Sequence, residues 1–369
     1  MIIGIDYSRA TVEQKTGTET YAKQLVDAML ALPSSHTFRL YTKKPVTFAH
    51  PQVQTRIIPY PYLWTQLGLA GECFLHPPDI LFIPAHTLPV LRRPKIKTVV
   101  TIHDLGAEYL PGYHQFPQKH YLTKSTEYAV SHATHLIAVS EATKKDLITK
   151  MHCDANKISV VYEGYRKDYF KHLGKSMVEN DLKKLKVTPP FLLFVGTIQP
   201  RKNVMRLIQA FSKLASDYPS LSLCLVGKKG WLSDEVYALP TQLGLSDRVK
   251  FLGHVKEEDL VALYNGAELL VFPSLFEGFG LPVVEAFACG LPVVTSSTSS
   301  LPEVGGDACV YVEPTSIEEI EGAIRRVLSN TMLRDELIRK GLKQAGTFSW
   351  EKAAKETLTV LERVYENTM

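Results

Sequence analysis

The chain has 369 residues, more than the roughly 250–300 at which single hydrophobic cores stop growing, so two domains are expected. A hydrophobic content of 45% with 22% charged residues describes an ordinary soluble globular protein and excludes a disordered one. Net charge is only +4 but uneven: residues 1–185 hold 23 Lys+Arg against 16 Asp+Glu, and residues 186–369 hold 19 against 22. Eleven of the twelve histidines also fall in the first half, so the halves either face different chemical tasks or have drifted in surface composition.

The first stretch, MIIGIDYSRATVEQKTG, reaches Asp6 at once, with no basic leader and no small-residue cleavage site, and reads as a first strand rather than a signal peptide. No run approaches the ~18–20 apolar residues of a membrane-spanning helix. Cys73, Cys153, Cys224, Cys289 and Cys309 are scattered and form no CxxC pair, which argues against a disulfide framework or a zinc site. A cytoplasmic protein is therefore expected.

Short Val/Ile/Leu-rich runs follow in chain order: IIGID, FRLYT, DILFIPA, KTVVTIHD, HLIAVS and ISVVYEG. Amphipathic segments such as TETYAKQLVDAML and EATKKDLITKM separate several of them. Apolar strands alternating with helices imply parallel sheets covered on both faces. A charged stretch, YRKDYFKHLGKSMVENDLKKLKVTPP, interrupts the pattern and reads as an interdomain linker. A second series then runs FLLFVGT, LSLCLVG, VKFLGH, ELLVFPS, PVVTSS and CVYVEP, and three helical patterns end the chain, the last with Ser349 as its N-cap. The expected division is a first domain over 1–170, a linker over 171–190, a second domain over 191–349, and a terminal helix over 350–369. The architecture is α/β, two doubly wound domains with the ligand cleft between them.

In such sheets ligands sit beyond the carboxyl ends of strands. After FLLFV comes GTIQPRKN, where Arg201 and Lys202 precede a helix; cations beside a helix N-terminus suit a phosphate, although a solvated basic turn reads the same way. After ELLVF comes PSLFEGFGLPVVE. Pro282 suits the first helical position, which leaves Glu277 in a glycine loop and Glu285 in the helix's first turn. Gly278 and Gly280 let a ligand approach the backbone, and the carboxylates suit vicinal hydroxyls. The plainer alternative is that Glu285 complements the helix dipole and Glu277 is solvated. His103 and Asp104 close a buried strand, where an imidazole can donate to a substrate hydroxyl or serve structure alone. Gly17, before a helix, can approach a ligand or simply turn the chain. No Asp-x-Asp occurs and no His/Cys/carboxylate cluster has metal-ligand spacing, so no metal is expected. The stretches RIIPYPYLWTQLGL and VLRRPKIK could meet a membrane surface or a lipid-linked acceptor, or form a core strand and a polar turn.

These residues resemble those of retaining nucleotide-sugar glycosyltransferases of the GT-B fold, specifically family 4, over nearly the whole chain. The Glu277-x7-Glu285 signature carries the resemblance, supported by GTIQPRKN, FLGHVKEEDLVALYNGAELLVFPS, HLIAVSEATKKDL, IHDL and FSWEKAA. The resemblance implies two Rossmann-like domains facing a central cleft, with the last helix crossing back through Trp350 onto the first. It implies Lys202, with Arg201, on the donor diphosphate; Glu285 on the ribose; His254 and Val255 at the base; and Glu277, Phe279, Gly280 and Leu281 on the transferred sugar. His103 would touch that sugar or polarise the reaction centre. The implied co-substrate is a nucleoside-diphosphate sugar, with a lean to GDP-mannose, and the implied acceptor a saccharide or lipid-linked glycan. No cofactor, metal or nucleic acid is expected, and the protein could sit peripherally at the inner face of a membrane. Gly196-Thr197 stands where many relatives have Gly-Arg, and Glu163-Gly164 where they have Asn-Gly. A sugar-nucleotide epimerase and a non-catalytic sugar or partner-binding protein share the fold. A nicotinamide dehydrogenase is disfavoured because no strand is followed by GxGxxG.

Overall fold

Strands this apolar need cover on both faces, and parallel sheets flanked by helices supply it. The computed structural model describes residues 1–12, 17–60, 62–106 and 118–367, with the backbone alone at 118–122 and 175. The chain divides into two compact units, residues 1–164 with 349–369, and residues 165–348.

In the first unit β1 (Ile2–Asp6), α1 (Gly17–Ala31), β2 (Thr37–Thr42), β3 (Val53–Ile57), α2 (Ala70–Leu75), β4 (Ile80–Ile83), β5 (Lys97–Ile102), α3 (Gln118–His132), β6 (His135–Ala138), α4 (Glu141–Met151) and β7 (Ile158–Val160) follow in order. The strands form one parallel sheet, β3-β2-β1-β4-β5-β6-β7. Ile80 to Ile83 are all fully buried, as a central strand covered on both faces requires. β3 is not among the expected strands, because VQTRI lies at the sheet edge and alternates half-buried with exposed positions, leaving no apolar run to detect.

The second unit contains α5 (Lys175–Lys184), β8 (Phe191–Val195), α6 (Val204–Leu214), β9 (Ser222–Val226), α7 (Asp234–Gln242), β10 (Val249–Gly253), α8 (Glu257–Gly266), β11 (Leu269–Phe272), α9 (Leu281–Ala288), β12 (Val293–Ser296), α10 (Leu301–Gly305), β13 (Cys309–Val312), α11 (Ile317–Ser329) and α12 (Thr331–Ala345). Its parallel sheet runs β10-β9-β8-β11-β12-β13. Both sheets reverse order once, between β1 and β4 and between β8 and β11. Those reversals are the switch points where doubly wound sheets leave room for a ligand.

The expected linker over 171–190 needs correction. It carries α5, which packs on α8 and belongs to the second unit. Val178 and Leu182 are buried among its charges, with Leu182 against Gly266, and the Leu173 N–H donates to Asn265 at 2.7 Å. A high charge density conceals this narrow apolar stripe. The first unit accordingly ends at Gly164 rather than at 170.

The chain closes with α13 (Trp350–Glu366), which packs on α1 in the first unit. The Ser349 hydroxyl caps it by accepting the Lys352 N–H at 3.1 Å, and the Trp350 ring meets Tyr21 edge-on at 5.8 Å. All five cysteines are free. Among the described residues no helix is long and apolar enough to cross a membrane.

Candidate functional site

At the switch point of the second sheet the segments after β8 and β11 are tied together. Asn203, in the left-handed conformation that asparagine tolerates (φ 59°), donates its side-chain amide to the Pro273 and Pro314 carbonyls at 2.9 and 2.6 Å. The Leu275 N–H donates to the Arg201 carbonyl at 2.8 Å. Arg201 and Lys202 lie in a single helical turn, Pro200–Lys202, started by proline.

That frame joins two adjacent cations to a carboxylate far away in sequence. Glu277 Oε2 accepts from Arg201 Nη1 at 3.0 Å, and Glu277 Oε1 accepts from Lys202 Nζ at 2.5 Å. Lys202 and Glu277 are buried, whereas the Arg201 side chain retains 22% exposure and is the member that solvent reaches. The Lys202 ammonium also lies 4.8 Å from the Phe272 ring centroid. Burial alone would raise the Glu277 carboxyl, but Lys202 and Arg201 hold it below the ordinary carboxylate range. Two cations share this one carboxylate. Guanidinium and ammonium donors held in a largely dry setting suit an anion.

The glycine loop that carries Glu277 is held by its backbone. The Glu277 N–H donates to Ser299 Oγ at 2.9 Å, and Ser300 Oγ donates to the Glu277 and Phe279 carbonyls at 3.0 and 2.8 Å. Phe279 is buried edge-on to Phe348 at 5.5 Å. Gly280 begins α9 at φ +116°, and a Cβ there would meet Leu301 at 2.9 Å, so only glycine fits. Pro282 occupies the helix start, and among the described residues no side chain caps it. The N-terminus of α9, beginning at Leu281, therefore presents its dipole beside the ion cluster.

Glu285 lies one turn further along α9. Its Oε2 accepts from the Tyr264 hydroxyl of α8 at 2.8 Å. Burial pushes its carboxyl up to about 7, with Tyr264 opposing the rise and Glu257 adding to it. His254 is exposed and Val255 half-buried just after β10, the edge strand two places from β8. That separation is about 10 Å of sheet width.

His103 follows β5 in the first unit and is buried against Tyr21, edge-on at 4.6 Å. Its Nδ1 lies 3.5 Å from Glu163 Oε1 and its Nε2 lies 3.0 Å from the Pro84 carbonyl, so both ring nitrogens already face protein acceptors. The donation to a substrate hydroxyl expected of His103 would have to replace one of these bonds. Gly17 opens α1 with free space where a Cβ would stand; the segment before it, 13–16, lies outside the described residues. A cavity of about 380 Å³ at the β1/β4 switch point is lined by Asp6, Arg9, Glu19, Lys43, Trp64 and Gln66, among others.

The structure thus joins Arg201, Lys202 and Glu277 directly, places Phe279, Gly280 and Leu281 beside them, and sets Glu285 on the same helix. Sequence reasoning assigned no contact to Tyr264, Ser299, Ser300, Asn203 or Glu163. Tyr264 and Glu163 each followed a recognisable pattern, in LYNG and YEG, but nothing local announces a partner 21 or 60 residues away.

Known proteins resemble the chain in sequence and in fold. Residues 178–344 match the family of glycosyl transferases group 1, and residues 16–168 match glycosyltransferase family 4. The O-antigen chain mannosyltransferase B of Escherichia coli is 33% identical over 266 residues, covering 71% of this chain and 69% of that one. The serotype-specific mannosyltransferase WbdA of Escherichia coli is 28% identical over 78% of this chain, which spans only 35% of that longer protein. The solved structure of Anabaena Alr3699/HepE in complex with UDP-glucose superposes with a TM-score of 0.76 at 19% identity, covering 98% of this chain and 99% of that one, a likeness of fold. Two doubly wound units, the Glu277–Glu285 loop and helix, and a relative this similar over more than two thirds of both lengths show that the chain belongs to the family 4, group 1 glycosyltransferases, on the GT-B fold.

Proposed function

We propose that the protein is a retaining glycosyltransferase. It moves a hexose from a nucleoside-diphosphate sugar, with GDP-mannose the leading donor, to a hydroxyl of a saccharide or lipid-linked glycan in cell-envelope polysaccharide synthesis. The observation that carries this reading is the Arg201–Lys202–Glu277 cluster beside the N-terminus of α9. Mannose and the cell envelope are favoured by the mannosyltransferase relatives, one of which is an O-antigen chain mannosyltransferase.

In this scheme the bond between the sugar's anomeric carbon and the diphosphate oxygen breaks first, and both electrons leave with the diphosphate. Arg201 and Lys202 stabilise that developing charge, the step at which preorganised cations act most strongly. The acceptor hydroxyl attacks the face just vacated, and its proton passes to the departing phosphate. Glu277 orients the transferred sugar from the glycine loop together with the backbone at Phe279, Gly280 and Leu281. Glu285 takes the ribose hydroxyls, His254 and Val255 meet the base, and His103 contacts the sugar. Gly17 and the cavity at the β1/β4 switch point are assigned to the acceptor.

Incubation with a panel of nucleotide sugars tests the reading. Transfer of mannose from GDP-mannose with an α-linked product, read by NMR of the anomeric proton, is expected. A β-linked product would overturn the retaining assignment. Epimerisation of the donor, or binding without turnover, would move the protein to another class.

Donor affinity is expected to depend on pH through Glu285. The ribose requires the ionised carboxylate, and with the carboxyl at about 7 only a minority is ionised at pH 6. Affinity for a nucleotide sugar, whose own diphosphate does not titrate here, should rise about tenfold between pH 6 and pH 8. Titration calorimetry should show this rise and its loss in Glu285→Gln; equal affinity at both pH values would remove Glu285 from the ribose.

The same reading includes peripheral contact of the first unit with an anionic membrane. Tyr62, Leu63, Leu67, Phe74, Leu75, Val90 and Leu91 are all exposed, Tyr62 by 81%. Gln66 bonds to the backbone of Leu88 and Val90, and the Arg93 guanidinium lies 5.4 Å from the Phe74 ring centroid, so these segments form one neighbourhood. Arg93 and Lys95 are exposed beside it. Apolar anchors with basic neighbours fit anionic lipid. Co-sedimentation with vesicles containing anionic lipid is expected, and should weaken in Leu75→Ser/Leu91→Ser and in high salt. Failure to sediment with any vesicle would exclude docking.

A further inference from the structure

Glu163 is the last residue but one of the first unit's main segment, and its surroundings fix its position. A Cβ on the next residue, Gly164, would stand 2.1 Å from the Trp350 backbone nitrogen, so the chain here lies tight against the start of α13. Glu163 is buried and places its carboxylate 3.5 Å from His103 Nδ1, while the Pro84 carbonyl takes Nε2 at 3.0 Å. A neutral imidazole has one donor and one acceptor nitrogen, whereas the cation has two donors. A ring whose two nitrogens both face acceptors is matched by the cation alone.

The neighbouring histidine shows the contrast. The His86 ring lies 5.6 Å from that of His103, and its Nε2 accepts the His103 backbone N–H at 3.4 Å, which requires an unprotonated nitrogen. Burial, with the charge of His103 added, pushes His86 down to about 4. For His103 burial also acts downward, but Glu163, the Pro84 carbonyl and Asp104 outweigh it and hold the ring above the ordinary histidine range. Among the described residues, Glu163, Asp104, His86 and Tyr21 are the titratable groups that face His103, and Arg9 acts on the pair through His86.

We propose that Glu163 is a positioning residue that keeps His103 as a doubly donating imidazolium, so that His103 contributes a fixed positive charge to glycosyl transfer rather than acting as a base. The proposal rests on the reading of His103 as a group that contacts the transferred sugar. No proton moves in this role. The charge is present at low pH and is lost as pH rises through the His103 titration, so activity should fall on the alkaline side.

The test is the pH profile of kcat at saturating donor, where changes in donor affinity drop out, combined with NMR titration of the His103 ring in the full-length protein. In Glu163→Gln the ring should titrate at lower pH than in the wild type. The alkaline limb of kcat should move the same way, giving turnover about tenfold lower at pH 8 and within about twofold of wild type at pH 5.5. Glu163→Asp, which retains the carboxylate, should restore much of the alkaline limb. An unchanged His103 titration in Glu163→Gln would overturn the proposal, as would an equal loss at every pH in both variants, the mark of a merely structural residue. His103→Gln separates the underlying reading: full turnover in that variant would remove His103 from catalysis, while the NMR titration would still decide whether Glu163 controls its charge.

Discussion

Replacing Lys202 with methionine is expected to lower kcat by about 10²–10³-fold, the usual loss when one preorganised group facing developing charge is removed. Lys202 is the buried cation of the cluster, so its charge acts with little screening by solvent. Methionine retains much of the apolar stem that packs near the Phe272 ring. Glu277 is not left unpaired, because Arg201 Nη1 stays on Oε2 at 3.0 Å. The fold should therefore survive, and the loss should lie in turnover. Steady-state kinetics with the best donor of the panel measures it. A kcat within a few-fold of wild type would remove Lys202 from the leaving diphosphate.

The second large effect is on stability and belongs to Glu277. In Glu277→Gln the two cations face a neutral amide in a buried setting, and breaking a buried pair from one side costs about 3–5 kcal/mol. For a unit of this size each kcal/mol lowers Tm by about 2–4 °C, so a fall of order 10 °C is expected in the transition that reports the second unit. The dependence on pH has a definite sign. The folded Glu277 carboxyl lies below its ordinary value of 4.5, so its contribution is present above that value and is lost as pH falls through the folded one. The difference in Tm between wild type and Glu277→Gln should be largest near neutrality and shrink in acid. On turnover, a group that orients the sugar should cost about 10–100-fold. Near-normal turnover in a folded Glu277→Gln would deny it any essential role.

Much of the fold was legible in the chain because the physics is local. A strand buried on both faces must be almost wholly apolar, and FLLFV, SLCLV and LLVF say so without help from the rest of the molecule. Capping is local as well, and Ser349 could be placed at the start of the last helix by residue type alone. Where burial is one-sided the signal fades. β3 escaped because an edge strand shows only alternation, and α5 because two buried side chains, Val178 and Leu182, sit among lysines and acids.

The candidate site divides along the same line. The spacing in FEGFGLPVVE determined that Glu277 would sit in a loop and Glu285 in a helix, since glycine and proline restrict the backbone wherever they occur. Sequence also brought Arg201 and Lys202 to the end of a strand. Only the tertiary structure decided what these charges face. The switch between β8 and β11 puts Glu277 onto both cations, 75 and 76 residues away in sequence. The Tyr264 hydroxyl reaches from α8 to Glu285 on α9, burial raises the Glu285 carboxyl, and the chain's approach to α13 sets Glu163 against His103. Charge states depend on desolvation and on partners within a few ångströms, and those are properties of the packed chain rather than of any segment of it.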